Sequence, residues 1–563
     1  MKNNIIIHET KDNYKTFEIK KDDKEHYLGN IESYQSDIDK LIENFSDLRF
    51  DSLIFIFGLD TGTYLEELQK SICDLNKVFI FEPNLEICEK YKENFKFKNI
   101  ELLPFEEEIV KEILSQSITT RNYVNIYMSS FGNYEHVYKD EYDKFIEILD
   151  YNYNKSATFR NTSYCFKEIH LKNILSNLEH INKSSPFDYY INSNENIPAI
   201  VVSAGPSLDK NIKDLLRFKD KLDKFFIIAG NRTLGPLIKN NIKPDLVMSI
   251  DPQEVTYKML SDYLEEDIPL VFHEKSNERL VREYKGHKIY TSQGLFSTIE
   301  PLRNMTICYS GGSVAHCSVD IAVLLGCNPI ILVGQDLAYT YEKDHAQIAR
   351  LPIDDISGKN EDIVLTDVYG KDIKSNSILK IYKKNLEYYI KAYTEYEDKS
   401  FINVSYGAHI ENTVHKELKD VLKDSKYKQK KNSLDKKMLV EIDYIAIKKS
   451  LLDYMDEYIT RCEKNVYVCN DLIQNPVSDE EARVKFKEVL DTIDEFIKDK
   501  RSLYINGYVD MFLFEIKEKY FRTSAKDYGV ISSNLVYQCS VFSIYFKELK
   551  KMLEEIKNKM IER

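Results

Sequence analysis

The sequence predicts an α/β protein that ends in an all-helical region. Short apolar strands alternate with helical patterns through most of the chain, which is typical of parallel sheets covered by helices on both faces. From about residue 415 onward the strand patterns fade, and apolar residues recur at the spacing of amphipathic helices. We therefore expect two α/β domains, at 1–185 and 186–414, followed by a helical domain at 415–563.

Composition and charge exclude several classes of protein. The chain has 563 residues, of which 43% are hydrophobic and 30% are charged, as in soluble globular proteins with several domains. Its formal net charge of −14 argues against a general nucleic-acid binder, which would usually present a basic surface. We expect no nucleic-acid partner.

Cysteine spacing and hydropathy point to a cytoplasmic protein without a membrane span. The nine cysteines contain no CxxC pair, so we expect neither a zinc site nor a disulfide framework. The start, "MKNNIIIHETKDNY", has too short an apolar run for a signal peptide. No apolar run in the sequence approaches the ~18 residues that a membrane-spanning helix needs.

In the first domain, "FIFGLDTGTYLEEL" places Gly58 and Gly62 at a predicted turn from strand to helix. Glu82 ends the next strand, "VFIFEP", twenty residues after Gly62. This Rossmann-like layout is used to bind dinucleotides or S-adenosylmethionine, with the acid on ribose hydroxyls. A third glycine is missing, because Gly62 is followed by "TY". Two interpretations stay open: a nucleotide site, or glycines that only shape the turn.

The second domain opens on the stretch "PAIVVSAGPSLDKNIKDLL". Gly205 permits a close backbone approach, Pro206 fixes the entry to a turn, and Ser207 is expected to cap a helix that begins near Asp209. The free N–H groups at a helix N-terminus suit a phosphate. Taken alone, the same residues would serve equally well as a cap without a ligand.

Polar residues follow three further strands of the second domain. Asn231 follows "FFIIAG", Asp251 ends "PDLVMSID", and Gln335 and Asp336 end "IILVGQD". Ligands of open α/β sheets bind beyond the carboxyl ends of the strands, so these side chains belong on the same edge as Gly205. Together they predict a binding site.

A second turn of small residues, Ser310, Gly311, Gly312 and Ser313, opens the predicted helix in "SGGSVAHCSVDIAVLLG". The apolar stripe of this helix leaves His316 off the buried face, so we expect His316 to be structural rather than catalytic.

His345 lies in the loop "AYTYEKDHAQIARLP", nine residues after Asp336. A neutral histidine at the rim of a site is a natural general base near pH 7, although a lone histidine can also be an ordinary surface residue. His409, in the turn of "FINVSYGAHIENT", is a weaker second candidate.

These residues resemble a family. The stretches "AIVVSAGPSLDKNI", "IIAGNRTL", "IKPDLVMSIDPQ" and "GGSVAHCSVDIAVLLGCNPIILVGQDLAYT", with the following His345, are similar to the central domain of the motility accessory factor proteins, which are bacterial flagellin glycosyltransferases. The resemblance implies a Rossmann-like N-terminal domain, a sialyltransferase-like Rossmann-type central domain and a helical C-terminal domain. It also implies transfer of pseudaminic or legionaminic acid from a CMP-activated donor to Ser or Thr of flagellin, which the flanking domains would position.

A more distant similarity is to bacterial sialyltransferases, whose "GNGPSL" turn matches the turn at Gly205. The departure is Ala204, where that group has Asn. We therefore expect the backbone around Gly205, rather than the side chain before it, to hold the phosphate.

The resemblance implies inverting transfer without a metal or cofactor, since the donor carries one phosphate. His345 would accept the proton of the Ser or Thr hydroxyl. The nucleotide-sugar site would comprise Gly205, Pro206, Ser207, Asn231, Asp251, Ser310, Gly311, Gly312, Ser313, Gln335, Asp336 and Tyr339.

Two alternatives remain. A related domain occurs in archaeal pterin pyrophosphokinase-like proteins, which would use ATP and Mg²⁺, with Asp251 and Asp336 as candidate metal ligands. The third hypothesis is a flagellin-binding protein without catalytic activity.

Overall fold

The structure is a computed structural model that describes residues 5–21, 24–93, 95–300, 302–351, 363–424, 426–427, 431–475 and 477–561. Its backbone contacts divide the chain into two compact units. The first unit comprises Met1–Tyr164, Leu452–Ser502 and Asn506–Arg563, and the second comprises Cys165–Leu451 and Leu503–Ile505. The division into domains at 1–185, 186–414 and 415–563 stays a prediction.

The first unit is built on a parallel sheet of four strands in the order β6-β5-β4-β7. One of its two inner strands, "LIFIF", is buried at every position, which explains its continuous run of apolar residues. A small antiparallel sheet, β1-β2-β3, precedes it. The strands are β1 Ile6–Glu9, β2 Lys15–Lys21, β3 Lys24–Tyr27, β4 Leu53–Phe57, β5 Lys77–Glu82, β6 Ile100–Pro104 and β7 Ile126–Ser130. The helices are α1 Tyr34–Glu43, α2 Leu65–Ser71, α3 Leu85–Lys92, α4 Glu107–Ser117, α5 Tyr134–Val137 and the long α6 Lys139–Ile181.

The second unit contains a parallel sheet of nine strands in the order β18-β17-β14-β9-β10-β11-β12-β13-β8. Its strands are β8 Ser185–Pro186, β9 Ala199–Val202, β10 Phe226–Gly230, β11 Leu246–Ser249, β12 Leu270–Phe272, β13 Lys288–Tyr290, β14 Ile330–Val333, β17 Phe401–Asn403 and β18 Val414–His415. A separate hairpin pairs β15 Ile363–Thr366 with β16 Asp372–Ser375. The helices are α7 Leu208–Arg217, α8 Asn231–Lys239, α9 Glu254–Leu260, α10 Glu278–Glu283, α11 Val314–Leu324, α12 Ser377–Tyr396 and α13 Leu418–Lys423.

The strand order of the large sheet reverses direction between β9 and β14. From β9 the chain adds β10 to β13 on one side, and it then crosses back to place β14 and β17 on the other side. Ligands of doubly wound sheets bind in the crevice at such a reversal, outside the carboxyl ends of the strands. The apolar runs that predict strands in this region all form strands of this sheet, and the α/β fold class is confirmed.

The C-terminal region of the chain is helical, as its apolar spacing predicts. Its helices are α14 Tyr444–Gln474, α15 Asp479–Lys498, α16 Asn506–Tyr520, α17 Ala525–Ser532 and α18 Leu535–Ile561. None of the helices in the described part of the chain combines the length and the apolar character that crossing a membrane requires.

Candidate active site

A cavity of about 390 Å³ opens at the carboxyl ends of β9, β10 and β11 in the second unit. It brings together four of the residues predicted from sequence: Asn231, Asp251, Ser313 and His345. Parallel strands all end at the same edge of the sheet, so the residues that follow them lie close together there.

Two helices begin at this cavity. Asn231 and Arg232 are the first residues of α8, Val314 and Ala315 are the first residues of α11, and all four line the cavity. The first N–H groups of a helix have no partner within the helix and lie at the positive end of its dipole. The cavity can therefore receive an anionic group such as a phosphate.

An amide and a carboxylate face each other in the cavity. The Nδ2 group of Asn231 donates a hydrogen bond to Oδ2 of Asp251, with 3.1 Å between the two atoms. Burial raises the pKa of Asp251, against the opposing effects of this bond and of the charge on Arg232. Asn231 is only 4% exposed, and its Oδ1 atom accepts no hydrogen bond from the described residues. Because buried polar atoms are usually paired, this oxygen is available to a ligand.

The loop that carries His345 is tied to the start of α7. The N–H of Ala346 donates to the carbonyl oxygen of Ala204 at 2.9 Å. The N–H groups of Gln347 and Ile348 donate to the Asp209 carboxylate at 2.7 and 3.1 Å. These bonds explain how a loop residue reaches the lining of the cavity.

His345 has a carboxylate beside it. Its Nδ1 atom lies 3.4 Å from Oδ2 of Asp344. Burial acts to raise the pKa of Asp344, but the neighbouring imidazole and two backbone N–H groups lower it overall. A base oriented by a third group is the arrangement that general-base catalysis uses. His409, the weaker candidate, is exposed and does not belong to the described cavity lining.

The turn at Gly205 already holds an anionic group of the protein itself. Ser207 donates two hydrogen bonds to the Asp336 carboxylate, from its backbone N to Oδ2 at 3.1 Å and from its Oγ to Oδ1 at 2.5 Å. Ser207 does occupy the N-cap position of this helix, which begins at Leu208, but its side chain makes no capping bond because the hydroxyl is taken by this carboxylate. Burial raises the pKa of Asp336 to about 6.

The remaining predicted binding residues do not belong to the described lining of the cavity. Gln335 accepts a hydrogen bond from Ser203 Oγ at 2.6 Å through Oε1, and Tyr339 accepts one from Asn376 Nδ2 at 2.7 Å. Their contact with a nucleotide stays a prediction, as does that of the others: Gly205, Pro206, Ser207, Ser310, Gly311, Gly312 and Asp336.

His316 is buried, so its expected position off the buried stripe is wrong. Its Nε2 atom lies 2.9 Å from the carbonyl oxygen of Tyr382, which can only accept, so Nε2 carries the proton. Ser313 Oγ therefore donates to Nδ1, at 2.5 Å. Burial lowers the pKa of His316 to about 4, so the ring is neutral at pH 7. This internal bonding favours a structural role.

Sequence reasoning missed the groups that position His345. Asp344 directly precedes His345, so the sequence did contain an acidic residue next to the candidate base. The anchoring carbonyl of Ala204 and the carboxylate of Asp209 lie far away in sequence, and no local pattern marks them.

The glycine turn in the first unit is closed by protein side chains. Glu82 is fully buried, and its carboxylate accepts hydrogen bonds from the N–H groups of Leu59 and Asn84 and from the Tyr134 hydroxyl, each at 2.8 Å. A Cβ at Gly58 would lie 2.3 Å from the Tyr134 ring. The acid expected on a ribose is thus bonded internally, which favours glycines that only shape the turn.

The buried acid predicts a pH dependence of stability. Burial raises the pKa of Glu82 from 4.5 to about 7. The folded state then holds a proton that the unfolded state releases, so this group's stabilisation is lost as pH rises from about 4.5 to 7, by about 3 kcal/mol. In Glu82→Gln we expect the free energy of unfolding to fall less between pH 5 and 8 than in the wild type. Urea unfolding measures this, with exposed Glu89→Gln as control, and equal pH dependence in both variants would contradict it.

Comparisons with known proteins give a family match for part of the chain and a similar solved structure for almost all of it. Residues 172–342 match the family described as 6-hydroxymethylpterin diphosphokinase MptE-like. No curated protein matches the sequence. The solved structure of the MAf glycosyltransferase from Magnetospirillum magneticum AMB-1 is similar, with a TM-score of 0.56 and 14% sequence identity over 99% of this chain and 93% of that chain. The chain therefore shares the fold of that glycosyltransferase over almost its whole length, and the resemblance to motility accessory factor proteins is confirmed at the level of the fold.

Proposed function

We propose that this protein is a glycosyltransferase that moves a nonulosonic acid, of the pseudaminic or legionaminic type, from its CMP-activated donor to Ser or Thr hydroxyls of flagellin in the cytoplasm. The observation that carries the proposal is the cavity in which His345 meets the N-termini of two helices. The fold shared with a glycosyltransferase supports this class of reaction.

The two helix N-termini would hold the donor phosphate. CMP leaves with increased negative charge, and the N–H groups at the starts of α8 and α11 would stabilise that charge without reorganising. Because the CMP-sugar has a single phosphate, these N–H groups can stabilise its charge without a metal ion. We therefore expect transfer to be insensitive to EDTA.

His345 would be the general base. As the bond between the sugar carbon and the phosphate oxygen breaks, the carbon gains oxocarbenium character and the acceptor hydroxyl attacks it from the opposite face. The hydroxyl proton passes to His345, which Asp344 orients, and the configuration of the sugar carbon is inverted.

A second candidate is favoured by the match of residues 172–342 to the pterin diphosphokinase description. That reaction would need ATP and Mg²⁺, with Asp251 and Asp336 as ligands. Asp336 is 2% exposed, and each of its carboxylate oxygens accepts a hydrogen bond from Ser207. Asp336 is also outside the described lining of the cavity that contains Asp251, so the two carboxylates do not form one metal site there, and we therefore prefer the glycosyltransferase.

One experiment separates the candidates. Purified protein is incubated with unmodified flagellin and a CMP-nonulosonic acid, with and without EDTA, and the intact mass of flagellin is measured. Addition of one or more sugar masses in both conditions is the expected result. Activity only with ATP, Mg²⁺ and a hydroxymethylpterin would replace the proposal with the second candidate, and flagellin binding without modification would leave a non-catalytic binding protein.

A further inference from the structure

Two exposed tyrosines lie beside the loop of the candidate base. Tyr341 is 62% exposed and Tyr369 is 61% exposed. Tyr341 belongs to the 3-10 helix Thr340–Glu342, four residues before His345, and Tyr369 lies in the turn between β15 and β16. We call these two residues the aromatic surface. Exposed aromatic side chains in one place are typical of contact surfaces.

The two rings belong to one cluster. The N–H of Tyr339 donates to the carbonyl oxygen of Lys374 in β16 at 2.8 Å, so the short helix of Tyr341 lies against the hairpin that carries Tyr369. The Tyr369 ring packs edge-on against His415, with 5.8 Å between their centroids. His415 in turn packs against Tyr406, with centroids 6.0 Å apart. The aromatic surface thus has a packed layer beneath it.

The backbone that presents the rings is fixed. The turn of Tyr369 is closed by Asp367, whose Oδ1 accepts from the N–H of Tyr369 at 2.8 Å. The preceding N–H, that of Val368, donates to the carbonyl of Gly407 at 3.1 Å and ties the hairpin to the loop between β17 and β18. Tyr341 itself has φ of +55°, a conformation that non-glycine residues rarely adopt. Such a conformation persists only where the surroundings hold it, and such positions cluster at functional sites.

We propose that the polypeptide acceptor docks on the aromatic surface and from there presents its Ser or Thr hydroxyl to His345. This inference rests on the proposed function. An open face of two rings suits an extended chain segment better than a small acceptor, which would need to be enclosed. Tyrosine rings give large contact area and lose little conformational entropy on binding.

The test compares transfer to flagellin with transfer to water in the full-length protein. In the double variant Tyr341→Ala, Tyr369→Ala, we expect the KM for flagellin to rise at least tenfold. The KM for the CMP-sugar and the rate of its hydrolysis should stay within twofold of wild type, because the donor cavity is untouched. The double Phe variant should keep the wild-type KM, since the ring face rather than the hydroxyl makes the contact.

Tyr396→Ala is the matched control. Tyr396 is 84% exposed and ends α12, just before the amino end of β17, at the opposite edge of the sheet from the cavity. A double Ala variant with an unchanged KM for flagellin, or with donor hydrolysis lowered as much as transfer, overturns the proposal. If the wild type hydrolyses the CMP-sugar but does not modify flagellin, the proposal is tested by measuring the affinity of flagellin for the wild type and for the double Ala variant. Equal affinity for both proteins overturns the docking surface. Absence of flagellin binding to the wild type overturns it as well. If the wild type acts on no CMP-sugar, the proposed function fails separately.

Discussion

Replacing His345 by alanine is expected to lower the turnover of sugar transfer to flagellin by a factor of about 10² to 10⁴, the range that a general base supplies. The KM for the CMP-sugar should change little, because in the proposed mechanism the donor phosphate would be held by the starts of α8 and α11 rather than by this imidazole. Intact-mass measurements of flagellin over time give the turnover, and a titration with CMP gives the affinity of the variant for the nucleotide.

His409→Ala is the matched control for this variant. His409 is exposed and is not among the described residues that line the cavity, so its removal should leave turnover within twofold of wild type. Asp344→Asn should give a smaller loss than His345→Ala, because it removes the orienting charge and keeps the base. Full transfer by His345→Ala would exclude His345 as the base.

Gly205→Ala is expected to destabilise the second unit by about 3 kcal/mol, at the upper end of what overpacking costs. The added Cβ would lie 2.2 Å from Oδ2 of Asp336 and 2.5 Å from the carbonyl oxygen of Gly334. The N–H of Gly205 also donates to that carbonyl at 2.9 Å, so the turn cannot retreat without breaking its link to the strand beside it. The thermal midpoint should fall by roughly 5 °C, given the size of the second unit.

Gly529→Ala is the control for the glycine variant. Among the described residues, and apart from its chain neighbours and the backbone of its own helix, no atom lies within 4 Å of a Cβ added at Gly529, which is inside α17. Alanine has the higher helix propensity, so this change should leave the midpoint unchanged or raise it slightly. Differential scanning calorimetry compares the two variants, and a wild-type midpoint in Gly205→Ala would show that Asp336 and the turn can separate at no cost.

The order and type of the main elements could be predicted from sequence. The run "AIVVSA" became β9 and "KFFIIAG" became β10, because continuous apolar runs are what strands buried on both faces require. The direction of the parallel strands also predicted part of the candidate site. Asn231 directly follows β10, Asp251 lies two residues after the end of the neighbouring parallel strand β11, and the two side chains meet at the carboxyl edge.

The bonding at Gly205 could not be predicted in the same way. The sequence offered a helix N-terminus suited to an anion, but it did not say which anion. The carboxylate that binds there belongs to Asp336, 129 residues after Ser207, and it reaches the turn only because β14 pairs with β9. The burial of His316 under Tyr382 depends likewise on packing between α11 and α12.

The sequence by itself determined the α/β fold, the helical C-terminal region and the set of polar residues at one edge of a sheet. These follow from periodicity and chain direction, which are local properties. Only the tertiary structure decided which of those residues line the cavity and which bond to each other. Each hydrogen-bonding group has few partners, and which partner it finds depends on strands and loops brought together from distant parts of the chain.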